Sequence, residues 1–355
     1  MDTIRFLPMN FRVEAAAALM RLAYRGDDER SGGAREAAEY YSRKYAIPAE
    51  TFSGIVETYE YVKKHLSYDE TELLTLFSDL GGLGSSLYEV FITMETAIGP
   101  ERCRDLGLRI ALMASYDNME PDFSCDTPAD LLAAVSQMTM TDEGKWLYVD
   151  ACMHYESYRA RIDKLLDRAE QLIRKKAALL EPYADETIRA FENYQQEGKL
   201  FEHLAEHGIR LDCENATITP NLINFSFIIL NTNAIASAKY GELECADVLF
   251  GVLIDLIRDR GKTSRDATEA ILSLLHALDD KRRLQILSAL KTRPRYGQEL
   301  VAVTGLSAAT VSHHMNELTG AGLVSIEKQG VKLLYHIKEK RIRELTELLQ
   351  QSYLS

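Results

Sequence analysis

The side chains best suited to chemistry lie late in the chain, in the run Ser307-Ala308-Ala309-Thr310-Val311-Ser312-His313-His314-Met315-Asn316. On a helix, Val311, Met315 and Leu318 fall on one face and leave Ala308, Ala309, Ser312, His313 and Asn316 on the other. That outer face is small at its N-terminal end and rich in hydrogen-bonding groups. It is suited to entering a major groove and reading base edges. Ser307 is a good N-cap, and with Thr310 and the helix N-terminus it suits phosphate oxygens. Adjacent helical residues diverge by about 100°, so His313 and His314 do not converge on one metal ion. His313 is expected to meet a base, and His314 to be packed or interfacial. Lys328, Gln329 and Lys332 surround Gly330 and form a second group, suited to the phosphate backbone or a minor groove.

Other constellations are weaker. His203 and His207 stand at i,i+4, which puts two imidazoles on one helical face, and Asp212 and Cys213 follow. The same histidines also suit a helix C-terminus closed by Gly208, through the macrodipole, and that reading is preferred. Cys152-Met153-His154 is a still poorer metal signal. Gly81-Gly82-Leu83-Gly84-Ser85-Ser86 has no strand before it and no lysine after it, so it reads as an interhelical loop rather than a phosphate loop. The five cysteines, Cys103, Cys125, Cys152, Cys213 and Cys245, form no CxxC pair, which argues against a zinc ribbon or a disulfide framework. No Ser/His/Asp arrangement, motif-bearing carboxylate pair or nucleotide loop is evident, so no catalytic residue, cofactor or metal ligand is assigned and the chain is not expected to be an enzyme. Tyrosines crowd the first half, at Tyr40, Tyr41 and Tyr45, at Tyr59 and Tyr61, and at Tyr148, Tyr155 and Tyr158. They suit half-buried helix packing, and equally a ligand pocket or an interface.

The elements that position these groups follow from periodicity. The spacing predicts helices over Arg12 to Ala23, Arg35 to Tyr45, Ala49 to Leu66, Asp69 to Phe77, Ser86 to Ala97 and Arg102 to Met113. A long helix from about Thr141 should stop near Pro182, followed by helices Ala184 to Gln196 and Leu200 to His207. A small β element is expected over about 208–255. Ile209 to Cys213 would turn at Glu214-Asn215 into Thr217 to Thr219, Phe225 to Leu230 is β-rich, and Val248 to Ile254 suits strand or helix. Ile4 to Phe6 could join this sheet. Arg258 to Arg265 reads as a linker.

Beyond it the sequence predicts three helices, at Ala270 to Leu278, Lys281 to Leu290 and Gln298 to Val303. The glycine-containing turn Thr304-Gly305-Leu306 leads into the helix Ala308 to Leu318. Two strands, Leu323 to Ile326 and Leu333 to Ile337, and a helix from Lys338 to about Gln351 complete a winged helix-turn-helix. The fold class is therefore mainly α, with a helical region over 1–260 and a winged domain over 264–355.

Charge supports that division. The chain of 355 residues carries a net −13, with 46% apolar and 27% charged residues. Ser264 to Ser355 carries 13 Lys and Arg against 10 Asp and Glu, leaving 28 against 44 for the remainder. An acidic body with a mildly basic module suits one part that meets phosphate and one that does not. No signal-like segment and no apolar run of spanning length is evident, so no membrane partner and a cytoplasmic location are expected.

Leu278 to Leu287, Glu299-Leu300, Gly305-Leu306-Ser307-Ala308-Ala309-Thr310-Val311-Ser312-His313-His314, Ala321-Gly322-Leu323-Val324 and Gly330 to Tyr335 together resemble the arsenic-repressor (ArsR/SmtB) family of winged-helix regulators. The resemblance spans about a quarter of the chain. It implies a homodimer built on the first and last helices of the domain, bound to an inverted-repeat DNA operator, repressing transcription until an effector releases it. The DNA-binding residues expected are Ser307, Ala308, Ala309, Thr310, Ser312, His313, His314, Asn316, Lys328, Gln329 and Lys332. Where metal-sensing members carry cysteines, Pro294 to Leu300 has none, and no thiol lies beyond Cys245. The final helix also lacks the Asp/His/Glu ligands of the family's other metal site. The signal is expected to be non-metal and to enter through the N-terminal region, as a small molecule or a protein partner. An enzyme fused to a DNA-binding module is the remaining alternative.

Overall fold

Asn10 opens the first helix, Phe11–Ala23, by accepting from Arg12 N at 3.0 Å, and the run Ala15 to Leu19 is buried along it. Alanines bring this helix close against the helix Tyr155–Arg174. Arg12 also bonds Asp163 and, at 2.7 Å, Asp167 on that partner. The computed structural model describes residues 3–26, 28–81, 85–106, 109, 127–138, 140–209, 211, 215–233, 245–263, 267–306, 308–329 and 332–353. The fold is mainly α, and the chain divides into two compact units. One comprises Met1–Arg109, Met140–His203 and Leu211–Ser264; the other comprises Ile110–Thr139, Leu204–Arg210 and Arg265–Ser355.

In the first unit the predicted helices appear as Phe11–Ala23, Ala34–Tyr45, Ser53–His65, Glu70–Phe77 and Leu87–Ile98. Ser86 and Glu89 cap the last of these reciprocally. Gly81 takes φ +62°, and a Cβ there would stand 2.9 Å from Gly144 Cα, so the loop it opens needs glycine for close packing. Half of the predicted helix over Arg102 to Met113 lies outside the described residues; a short 3-10 turn, Arg102–Arg104, is its described beginning.

The long helix expected from Thr141 is three: Asp142–Met153, Tyr155–Arg174 and Ala177–Gln196. Pro182 does not stop it but lies inside the third, whose break comes earlier, at Lys175-Lys176. Proline removes one backbone donor, a loss tolerated here inside a continuous helix.

A sheet completes this unit. β1 (Thr3–Phe6), β2 (Asn215–Asn221), β3 (Ile228–Thr232) and β4 (Cys245–Gly251) stand in the order β1-β2-β4-β3. β1, β2 and β4 run parallel, and β3 is antiparallel to β4. The expected strand Ile4 to Phe6 joins as foreseen. The hairpin expected between Ile209 to Cys213 and Thr217 to Thr219 is overturned in its pairing: β2 is buried between β1 and β4, partners remote in sequence. Phe225 sits in a turn ahead of β3, and most of the expected linker is the helix Ile254–Thr263.

Charged side chains lie inside this unit, Glu14, Arg21 and Arg109 among them. Glu14, fully buried, accepts Leu222 N at 2.9 Å and Ile223 N at 2.7 Å. Burial pushes its carboxyl up to about 7, against the pull of those two N–H groups. An acid whose folded value lies above its unfolded one binds its proton more tightly when folded. Its contribution is therefore present at low pH and lost as pH rises from about 4.5 to about 7. The expected outcome is that the melting temperature of the protein falls, relative to that of Glu14→Gln, between pH 5 and pH 7.5, with a constant difference above. The upper bound is about 3 kcal/mol. Parallel melting curves across that range would disprove the assignment.

Candidate nucleic-acid interface

In the second unit the sequence pattern is realised in order: helices Ala267–Leu278, Lys281–Thr292, Gly297–Thr304 and Ala308–Gly320, then a hairpin, then the helix Glu339–Tyr353. The hairpin strands are β6 (Val324–Gln329) and β7 (Lys332–Ile337). A short strand not anticipated from the sequence, β5 (Arg295–Tyr296), pairs on the other side of β7. Two residues carry too little periodicity to be seen as a strand.

Local chemistry fixes each junction. Asp280 caps Lys281–Thr292 by accepting Arg282 N at 2.7 Å and Arg283 N at 3.0 Å. Arg283, itself buried, turns back and donates to Ala277 O and His276 O, each at 2.7 Å, so it satisfies the last carbonyls of the preceding helix. Glu299 accepts Tyr296 N at 2.9 Å and pairs with Arg293 at the start of Gly297–Thr304. Gly305 ends that helix in the left-handed region, φ +69°, with its N–H on Val301 O at 2.9 Å. The chain then enters Ala308–Gly320.

Val311, Met315 and Leu318 are buried in a core with Leu274, Ile286, Leu287, Leu290, Leu300, Leu323 and Tyr335. The stripe expected to hold the helix from behind therefore does so. His314 lies on the same inner side, 6% exposed. That placement removes it from the residues that could touch a base, and it matches the packed position expected of the second of two adjacent histidines. Ser307 lies outside the described residues. Ala308, Ala309, Thr310, Ser312, His313 and Asn316 are placed on the helix by their backbone. Gln329 and Lys332 face each other across the hairpin end, with Lys328 opposite Leu333, and Gly330 is outside the described residues. The side chains of these residues lie outside what the structure describes.

The other sequence candidates fall elsewhere. His203 is buried in the first unit, its ring stacked on Tyr194 at 4.1 Å and its Nε2 3.2 Å from the Asp255 carboxylate. Asp255, far off in sequence, was not anticipated as its neighbour. His207 belongs to the segment Leu204–Arg210 of the second unit, and Asp212 and Cys213 are outside the described residues. Cys152 is buried, and burial raises its thiol to about 12, which leaves it a poor nucleophile or ligand; His154 is exposed and 3.0 Å from Asp150. No described helix is long and apolar enough to cross a membrane.

Residues 280–325, from the cap Asp280 through the helix Ala308–Gly320 into β6, match the family described as "Bacterial regulatory protein, arsR family". The HTH-type transcriptional regulator YgaV of Escherichia coli (strain K12) is 31% identical over 88 residues, which is 24% of this chain and 89% of that protein. This chain belongs to the arsR family. The cadmium resistance transcriptional regulatory protein CadC of Listeria innocua is 32% identical over 92 residues, 26% of this chain and 77% of the relative. The HTH-type transcriptional regulator CmtR of Mycobacterium tuberculosis is 37% identical over 82 residues, 23% of this chain and 70% of the relative. Each aligned stretch is under a third of this chain, so the resemblance identifies an ArsR-type DNA-binding module and reaches no further. Beyond it lies a large helical region with its own sheet, as described above.

The buried stripe has a direct consequence. Val311→Asp places an unpaired carboxylate in the core and should abolish cooperative unfolding of the C-terminal unit, costing more than about 3 kcal/mol. Circular dichroism and limited proteolysis of the full chain would check it; a Val311→Asp protein as stable as wild type would mean that the helix is not anchored on this face.

Proposed function

We propose that the protein is a transcriptional repressor that binds an inverted-repeat operator as a homodimer and leaves it when a non-metal signal acts on the N-terminal unit. The observation that carries this reading is the recognition helix, anchored by Val311, Met315 and Leu318 beyond the Gly305 turn and followed by the β6–β7 wing. The outer positions of that helix, Ala308, Ala309, Ser312, His313 and Asn316, read bases, while Ser307 and Thr310 meet phosphate at its N-terminus. Lys328, Gln329 and Lys332 place the wing on the backbone. The dimer would be built on Ala267–Leu278 and Glu339–Tyr353, which pack together. Its two recognition helices would then meet half-sites about 10 base pairs apart. The absence of thiols after Cys245 supports a non-metal signal, although CadC is named for cadmium resistance. The protein acts in the cytoplasm, where its operator is.

Binding of the full chain to a randomised duplex library at two salt concentrations tests this reading. Recovery of an inverted repeat, with affinity falling steeply as salt rises, is the expected result. A monomer that retains no duplex at low salt would overturn it. His313→Ala should shift base preference at one or two positions, at about 1–3 kcal/mol for the best site. Lys328→Ala or Lys332→Ala should weaken all sequences alike and lower the salt slope by about one. If the histidine variant lost affinity uniformly while the lysine variants changed preference, the groove and backbone assignments would be reversed. Chelators should leave operator affinity and melting temperature unchanged; zinc found at stoichiometry, and operator release on its removal, would refute the non-metal signal.

A further inference from the structure

Arg21 lies on the inner side of the helix Phe11–Ala23 and is 4% exposed. Its Nε donates to Ile223 O at 2.9 Å and to Asn224 Oδ1 at 3.1 Å. Its Nη1 donates to Arg30 O at 3.1 Å and to Gly32 O at 2.5 Å. Nη2, which carries two more N–H groups, is buried and has no acceptor. Every acceptor that Arg21 does have is a neutral amide oxygen, and among the described residues no carboxylate bonds it. Burial lowers the guanidinium only to about 10, so it keeps its charge at neutral pH.

A clamp on main-chain carbonyls accounts for Nε and Nη1. It does not account for a full charge kept inside without an anion, or for a free amino edge. The surroundings sharpen the point. Arg21 lies over the Phe225 ring, 5.6 Å from its centroid, and that ring meets those of Tyr41 at 5.8 Å and Phe52 at 5.3 Å. Gly32, held by Nη1, adjoins Gly33, where a Cβ would stand 3.3 Å from the Tyr59 ring. On the segment that Arg21 grips, Asn221 is fully buried with neither side-chain amide atom partnered, and Ser226 Oγ is buried without a partner. Buried polar groups ordinarily find partners. Here a guanidinium edge, an amide and a hydroxyl are left over on one short segment and the helix that clamps it.

We propose that Arg21 anchors a binding site for a small monocarboxylate, whose oxygens accept from the two free N–H groups of Nη2. One negative charge matches the one cation that lacks an anion, whereas the second charge of a phosphate would be buried unpaired. The rings of Phe225, Tyr41, Phe52 and Tyr59 suit an apolar body behind the carboxylate. The partly exposed loop 28–33, tied to the same guanidinium through Nη1, is the way in from solvent. The site gives the non-metal signal proposed above a chemical class, and it rests on that reading only for its effect on DNA.

The test uses the full chain, with sodium acetate, benzoate and phenylacetate as probes. Benzamide is the uncharged counterpart of benzoate, inorganic phosphate the anion of higher charge, and sodium chloride at equal ionic strength the control. Calorimetry should show saturable binding of at least one monocarboxylate. That ligand should raise the melting temperature by roughly 5 °C or more over the chloride control at about a hundred times its Kd. Benzamide should do nothing, and Arg21→Gln should lose the rise altogether. Hydrogen exchange with the ligand bound should slow in residues 28–33 and 221–226. The same ligand should release the wild type from the duplex that it selects from a randomised library.

If all three monocarboxylates behave like chloride, the proposal is overturned. An equal effect from benzamide would overturn it too, because the charge would then be irrelevant, as would tighter binding of phosphate. Slowed exchange confined to other segments would place the ligand elsewhere and sink the site. Should Arg21→Gln fail to fold, the contrast between benzoate and benzamide and the exchange pattern carry the decision. A wild type that selects no duplex defeats the DNA-binding reading and leaves the site standing. A ligand that binds at 28–33 and 221–226 without moving operator affinity supports the site and removes its role as the signal.

Discussion

The helix Ala308–Gly320 is held from behind, and the holding is done by Val311, Met315 and Leu318. Burying each large apolar side chain contributes on the order of 1.5–3 kcal/mol. The three together hold the helix against Leu300 of the preceding helix, Ile286 and Leu290 of the one before, and Leu323 and Tyr335 at the hairpin. Everything else in the C-terminal unit follows from presenting the opposite face. Gly305 is needed because the turn into that helix passes through a backbone conformation that other residues resist. Asp280 and Arg283 are needed because two helix ends meet in a short corner whose donors and carbonyls would otherwise lack partners.

The N-terminal unit solves a different problem, that of fixing a buried irregular segment. Leu222, Ile223 and Phe225 are fully buried without belonging to a strand or helix. The first helix grips this segment twice. Glu14 accepts from its N–H groups, and Arg21, two turns later, donates to Ile223 O at 2.9 Å and to the Asn224 side chain at 3.1 Å. Arg21 also holds the carbonyls of Arg30 and Gly32. Burial lowers its guanidinium to about 10, still charged at neutral pH. Its hydrogen bonds to main-chain oxygen offset the cost of removing that charge from water. An alanine-rich helix carrying one acid and one base on its inner side is thus a clamp that is selective for one path of the chain.

Much of this was legible from residue order where the interactions are local. Helix positions came from the spacing of apolar residues, and the winged domain was read almost element by element, because a turn such as that at Gly305 announces itself within a few residues. What could not be read was long-range. Ile209 to Cys213 looked like the partner of Thr217 to Thr219 because nearness in sequence was the only guide, whereas β2 pairs with β1 and β4. Pro182 suggested a stop that the surrounding helix overrides. Glu14 and Arg21 gave no sign that they would be internal, since charged residues on a predicted helix are ordinarily placed outside. Of the site, the inner stripe was foreseen, and the turn of Arg283 back onto the carbonyls of His276 and Ala277 was not, because it depends on how two helix ends meet.

The parallel pairing of β1 with β2 also has a consequence for synthesis. Glu14 waits for a partner 208 positions further along the chain, and β1 waits for a strand equally distant. Contacts between such remote segments are slow to form, and they cannot form at all until the intervening chain has left the ribosome. The first helices therefore emerge with their acid, their base and a strand edge still without partners. The winged domain draws its contacts from neighbours in sequence and can close as soon as its residues appear. Translation speed through the middle of the chain, and chaperones that shield an unpaired edge, should thus bear far more on the yield of the N-terminal unit than on that of the module that meets DNA.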